Sequence, residues 1–165
     1  TGTTEIVYSH EYGVNTAIQD STGAIWFTQS TLNKNEERMF GAIVKPIPDG
    51  ALFRLPLLNG REISKKPDLI VDGLNFANGF YIDESNKKFY ISETMANRVL
   101  SFDLDISKGI LSNKSVLAEI PSPDNMRLNH DYSLWVASPL SNQIFSIDTN
   151  NGDYFVVFDA QFLVS

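Results

Sequence analysis

The 165 residues carry no cysteine and a net charge of −7, with 42% hydrophobic and 20% charged residues. Such a composition suits one globular domain with a sizeable core and excludes disulfides and thiolate zinc sites. The acidic balance disfavours nucleic acid and anionic membrane surfaces, which call for clustered Lys and Arg, and suits a protein that gathers cations. No stretch approaches the roughly 18 apolar residues of a membrane span, and none has the basic and apolar regions of a secretory signal. A soluble protein is expected, with its compartment open. The chain starts at Thr1 rather than Met and stops after "FDAQFLVS", so a processed chain or a piece of something longer is also expected.

In chain order, "TEIVYSH" (4–10) has strand character, followed by predicted strands "NTAIQD" (15–20) and "AIWFTQS" (24–30). A charged insertion over 31–50 separates these from "ALFRLPL" (51–57) and "DLIVDGL" (68–74). The next four are "NGFYID" (78–83), "KFYISET" (88–94), "RVLSFDLD" (98–105) and "SVLAEIP" (115–121). The last four are "DNMRLN" (124–129), "SLWVASP" (133–139), "QIFSIDT" (143–149) and "YFVVFDA" (154–160). Turn signals such as "STG", "PDG", "NG", "ESNKK" and "NNGD" punctuate them, so the fold class is all-β.

The second strand of each group has an aromatic in its middle and a small polar residue at its end. Four strands in a unit of about 45 residues is the signature of a β-propeller blade. The predicted units are 15–74 with its inserted loop 31–50, 78–121 and 124–160, with 4–10 as the outer strand of a preceding blade. Three blades cannot close a ring that typically needs four to eight. An N-terminal half or another chain is expected to complete it; a self-contained three-sheet array is the alternative.

Aligned on the central aromatics Trp26, Tyr90 and Trp135, each first strand opens on an oxygen-bearing side chain: Asn15, Asn78 and Asp124. First strands line the channel of a propeller, so the three would share one rim, with Asn125 beside Asp124. Converging amide and carboxylate oxygens without His or Cys suit a hard cation, calcium above magnesium, with another divalent ion as an option. A further Asp or Glu is expected from the missing blades, since one carboxylate compensates a dication poorly. Asx residues also open strands because they cap turns, and Asn78-Gly79 by itself reads as a hairpin signal. Spacing leaves both readings standing. In the ligand reading, Gly79 lets the backbone approach closely behind Asn78.

"NFANGFYIDESNKKFYISETMANRVLSFDLD" and "IPSPDNMRLNHDYSLWVAS" resemble the six-bladed propellers of the gluconolactonase, paraoxonase and strictosidine-synthase-like group, from about Tyr12 to Asp148. The resemblance implies about half of such a ring, calcium at its axis and hydrolysis of small lactones or esters. It implies Asn15, Asn78, Asp124 and Asn125 as metal ligands, Asp124 also as a catalytic residue, and Glu93 at a position that is catalytic in strictosidine synthase. A wall-forming or hydrogen-bonding Glu93 is the other option. Thr16 stands where many relatives have Asp, which puts a second, structural ion in doubt. The family's Glu ligand and the paraoxonase histidine dyad have no counterpart here, so weak metal binding and little activity are expected of this chain alone. Two alternatives stand beside the calcium-dependent hydrolase: a non-enzymatic propeller binding module with a structural ion, and a metal-independent strictosidine-synthase-like enzyme using Glu93.

Other features receive structural readings. "IPDG" (47–50) is a turn; His10 and His130 are solvated; Trp26, Tyr90 and Trp135 are core between blades. "NKNEER" (33–38) is a solvated loop, placed where it could cover the channel mouth.

Overall fold

Apolar runs separated by tight turns become three four-stranded antiparallel sheets in the computed structural model, which describes residues 2–33 and 45–160. The first sheet has the order β1 (Val14–Gln19), β2 (Ile25–Gln29), β3 (Gly50–Leu55) and β6 (Asp68–Leu74). A two-stranded hairpin, β4 (Leu57–Leu58) with β5 (Glu62–Ile63), interrupts it. Its turn is Asn59-Gly60, whose φ values of 52° and 68° fit the type I′ geometry that Asn-Gly favours. The second sheet comprises β7 (Ala77–Asp83), β8 (Lys88–Glu93), β9 (Arg98–Asp105) and β10 (Ile110–Glu119). The third comprises β11 (Met126–Leu128), β12 (Ser133–Ser138), β13 (Gln143–Asp148) and β14 (Tyr154–Asp159). Every predicted strand from 15 onward is present, within a few residues at its ends.

The second sheet is packed on both faces, which explains its nearly continuous apolar sequence. Phe89, Ile91, Leu100 and Phe102 join Trp26 and Leu52 in the core shared with the first sheet. Tyr90 and Val99, of opposite parity on the same strands, join Leu134, Val136 and Phe145 in the core shared with the third. The alternation of strand side chains produces this division.

That alternation also corrects the expectation for Trp135. Trp26 and Tyr90 are buried at 0% and 2% exposure, each against the sheet that follows, whereas Trp135 is 40% exposed. It lies on the third sheet's far face, which no later sheet of the described residues covers.

Residues 4–10, expected as a strand, pair with no strand among the described residues. A strand forms only where its N–H and C=O groups meet a neighbouring ladder. Instead Tyr8 and His10 pack their rings on Phe27, and His10 also packs on Phe53. His10 is therefore half-buried rather than solvated, with Nε2 2.8 Å from Gln29 Oε1. Most of the predicted insertion, residues 34–44 with most of "NKNEER", lies outside the described residues. No helix among the described residues is long and apolar enough to cross a membrane.

Candidate metal centre

Each first strand departs from regular pairing where its candidate ligand sits. Between Val14 and Ala17, β1 spends one residue more than β2, and Asn15 and Thr16 lie in that bulge. Between Ala77 and Phe80, β7 does the same against β8, and the bulge holds Asn78 and Gly79. In the third sheet, Ala137 accepts the Asp124 N–H at 2.8 Å and gives its own N–H to Asn125 O at 2.9 Å. Two residues there oppose one. A bulge breaks the up-down alternation and re-aims a side chain, and bulges recur beside functional sites.

In the first two sheets, the hydroxyl that follows the second strand then orients the ligand. Asn15 Nδ2 donates to Ser30 Oγ at 3.2 Å, and Asn78 Nδ2 donates to Thr94 Oγ1 at 3.1 Å. Thr94 passes its own proton to the Pro123 carbonyl at 2.7 Å, joining the second sheet to the segment that carries Asp124. With both amides turned this way, their oxygens point elsewhere. Asn78 is 6% exposed, and its Oδ1 is buried without a hydrogen-bond partner among the described residues. A buried acceptor left unmatched costs about 1–3 kcal/mol, so it marks a place where a ligand is expected.

The candidates meet across the sheets. The Thr16 hydroxyl is 3.3 Å from Asn15 Oδ1 and 3.2 Å from Asn125 Oδ1. One proton cannot fully satisfy both oxygens. Gly79 lies against Asp124 and Asn125 so closely that a Cβ there would be 2.5 Å from Asn125 Cα and 2.6 Å from Asp124 O. Its lack of a side chain is what permits the approach. Burial raises the pKa of Asp124 above the ordinary carboxylate value, although the Asn125 N–H and the Asn78 amide work against it. No cation of the described chain faces it in an ion pair. The cluster thus offers hard oxygens, one of them orphaned and one a desolvated carboxylate, the donor set calcium favours. Among the described residues no group of three or more acidic, His or Cys side chains is placed to hold a metal ion, and this site consists of three amides and one carboxylate.

Glu93 is placed differently. Completely buried, it accepts from Arg98 Nε at 2.6 Å on Oε2, and from Asn75 N at 2.8 Å and Asn75 Nδ2 at 3.2 Å on Oε1. Burial raises its pKa, but Arg98 and the two Asn75 donors outweigh it and leave the carboxyl below its ordinary value. No hydrogen bond links it to Asn15, Asn78, Asp124 or Asn125 among the described residues.

Sequence reasoning found the four oxygen-bearing residues but gave Ser30 and Thr94 no role. The signal was available, since the terminal small polar residue belongs to the repeat pattern itself. Thr16, where many relatives have Asp, is the bridge between Asn15 and Asn125.

Stacked four-stranded antiparallel sheets, with first strands bulging toward a shared rim of oxygens, define an all-β domain of the propeller class. The chain belongs to the SMP-30/Gluconolactonase/LRE-like region family, which matches residues 4–160. Zebrafish (Danio rerio) regucalcin is 29% identical over 118 residues, covering 66% of this chain and 37% of that protein. Strictosidine synthase-like protein 13 of Arabidopsis thaliana is 26% identical over 116 residues, covering 70% and 27%. Among solved structures, a luciferin-regenerating enzyme superposes with a TM-score of 0.68 at 23% identity, over 87% of this chain and 46% of that one. A gluconolactonase from Xanthomonas campestris gives 0.63 at 22%, over 88% and 46%. The chain spans less than half the length of each of these proteins. The sequence resemblance to the gluconolactonase and strictosidine-synthase-like group is borne out.

Proposed function

We propose that the whole protein is a calcium-dependent hydrolase of lactones or esters, with Asn15, Asn78, Asp124 and Asn125 as this chain's share of the metal ligands. The buried, unpartnered Asn78 Oδ1 carries this reading. Family membership supports a lactonase-type hydrolase, and a relative of the same fold from Agrobacterium tumefaciens is described as a calcium-binding regucalcin. Bound calcium would supply Lewis-acid polarisation of the scissile carbonyl.

This chain's residues do the rest. The three amides add no charge; Ser30 and Thr94 fix the orientations of Asn15 and Asn78, and the Thr16 hydroxyl lies 3.2 Å from Asn125 Oδ1. Asp124 is desolvated and meets no cation in an ion pair among the described residues. It orients the attacking water and accepts its proton, a general-base role. One carboxylate balances a dication poorly, so the remaining anionic ligand comes from beyond these residues and this chain alone binds calcium weakly.

Glu93 serves as a positioning residue in this reading, because its oxygens are engaged by Arg98 and Asn75. The metal-independent enzyme using Glu93 and the non-enzymatic module make different predictions. Calcium titration of the full-length protein by calorimetry, paired with lactone hydrolysis by Asp124→Ala, tests all three. Calcium binding with activity lost in a folded variant supports the hydrolase. No calcium binding, or activity that survives the substitution, sinks it.

A further inference from the structure

Asn-Gly occurs three times in the sequence, at 59–60, 78–79 and 151–152. Glycine has no Cβ to shield its own backbone nitrogen or to restrict the chain, so that nitrogen can reach the preceding asparagine Cγ. Asparagine is thermolabile through this attack. The fold gives the three pairs different environments.

Asn59-Gly60 is the turn of the β4–β5 hairpin, and residues 58–62 are all exposed. The bond that closes the turn runs from Arg61 N–H to Leu58 O at 3.1 Å. It leaves the Gly60 nitrogen free, and the Asn59 amide makes no hydrogen bond among the described residues. Two strands of two residues each give the hairpin little resistance to local opening.

The other two pairs are held. Asn78 and Gly79 are buried inside β7, and Thr94 Oγ1 accepts from the Asn78 amide nitrogen at 3.1 Å. Gly79 packs against the backbone of Asp124 and Asn125, which leaves its own backbone no room to swing. Gly152 is buried and gives its N–H to Asp148 O at 2.9 Å, so the attacking atom is engaged. Asn151 uses both ends of its amide on Asp153, accepting from the backbone N–H at 2.9 Å and donating to Oδ2 at 2.8 Å.

We infer that Asn59 is a site of spontaneous modification, converting to aspartate and isoaspartate, while the fold keeps the metal-ligand candidate Asn78 an amide. The Gly60 nitrogen gives up its proton and bonds to Asn59 Cγ, closing a five-membered imide. The side-chain nitrogen takes that proton and leaves as ammonia. Water then opens the imide at either carbonyl, breaking one C–N bond and returning a proton to the nitrogen. No oxidant, metal or enzyme enters the balance. Either product adds a negative charge to the turn, and isoaspartate adds a backbone carbon that a two-residue type I′ turn does not accommodate. At Asn78 the same reaction would replace a neutral ligand by a carboxylate or a lengthened backbone. The chemistry is independent of the hydrolase reading.

The test incubates the full-length protein in heavy-oxygen water at mildly alkaline pH, folded in one sample and unfolded in guanidinium chloride in another. Peptide mapping by mass spectrometry then follows label at each asparagine. In the folded sample Asn59 should convert at least about tenfold faster than Asn78 or Asn151, because only its segment opens readily. Unfolded, the three should convert at similar rates, since each precedes glycine. Asn59→Gln, which would have to close a larger ring, should remove the label at that position. The Asn59 rate should be the same with and without added calcium, so failure of the hydrolase reading leaves this result intact. Folded protein in which Asn59 converts no faster than the other two overturns the inference. The same ranking in the unfolded sample also overturns it, by placing the difference in the sequence and not in the fold.

Discussion

Thr94 gives its hydroxyl proton to the Pro123 carbonyl and so can only accept from Asn78, whose amide nitrogen lies 3.1 Å away. One proton thereby decides which end of the Asn78 amide is free. The oxygen faces away from Thr94, buried and without a hydrogen-bond partner among the described residues, in a strand that bulges at that residue. Ser30 Oγ likewise accepts from the Asn15 amide nitrogen at 3.2 Å.

Thr94→Val keeps the volume and removes the hydroxyl. The Pro123 carbonyl loses its donor, which costs about 1–3 kcal/mol, or a melting temperature lower by about 2–4 °C for each kcal/mol. Asn78 is released to rotate, so calcium affinity of the full-length protein should fall about tenfold, or about 1.4 kcal/mol. Calorimetry and a thermal melt read the two effects separately. Full affinity in a folded variant would show that Thr94 does not orient Asn78.

Asp124 combines a raised pKa with its proposed place as the charged ligand. A carboxyl whose folded pKa lies above its unfolded value binds its proton more tightly in the native state. Its ionisation therefore lowers stability as pH rises between the two values, and the penalty persists at neutral pH. Asp124→Asn should make the calcium-free protein more stable at pH 7, an advantage that disappears in acid. Calcium affinity should be lost with the same substitution, and in the wild type it should fall at a pH above that expected of an ordinary Asp, near 3.9. Melts and calcium titrations across pH 3–8 report both trends. A less stable Asp124→Asn at pH 7 would contradict the desolvation argument.

Gly79→Ala places a Cβ 2.5 Å from the backbone of Asn125, where no flexible side chain can yield. Overpacking of this kind costs about 1–3 kcal/mol. The forced separation falls between Asn78 and Asp124, so weaker calcium binding should accompany the lower melting temperature. Chemical denaturation and calorimetry check the pair. Stability unchanged by the substitution would refute the close packing of Gly79 on Asn125.

Glu93→Gln removes the charge that meets Arg98, whose side chain is 33% exposed and so partly solvated when left alone. A destabilisation of about 1–3 kcal/mol at pH 7 follows for a lost charged hydrogen bond. The folded pKa of Glu93 is lowered, so its contribution is complete above the ordinary Glu value and disappears as pH falls through the folded one. Wild type and variant should converge in stability in acid. Denaturation curves at pH 7 and pH 3 test this, and an equal gap at both would refute it.

Much of the fold was legible because strand alternation, turn residues and a repeating aromatic are local signals. The Asn78-Gly79 pair shows the limit of such signals. Asn59-Gly60 is a turn with positive φ at both residues, while the same dipeptide at 78–79 lies inside β7. Periodicity placed Trp135 in register with Trp26 and Tyr90 but could not say whether another sheet follows it.

Sequence alone determined that the chain is all-β, that its unit repeats, and that Asn15, Asn78 and Asp124 occupy matching positions, because composition and spacing are properties of the chain. Tertiary structure decided what those positions offer. A bulge depends on pairing between strands, an orphaned oxygen on which hydroxyl lies opposite, and the burial of Glu93 on contacts that no spacing records. Asn78 is a turn residue by propensity and an inward-facing oxygen by packing. Two sheets and the Thr94 hydroxyl between them make the difference.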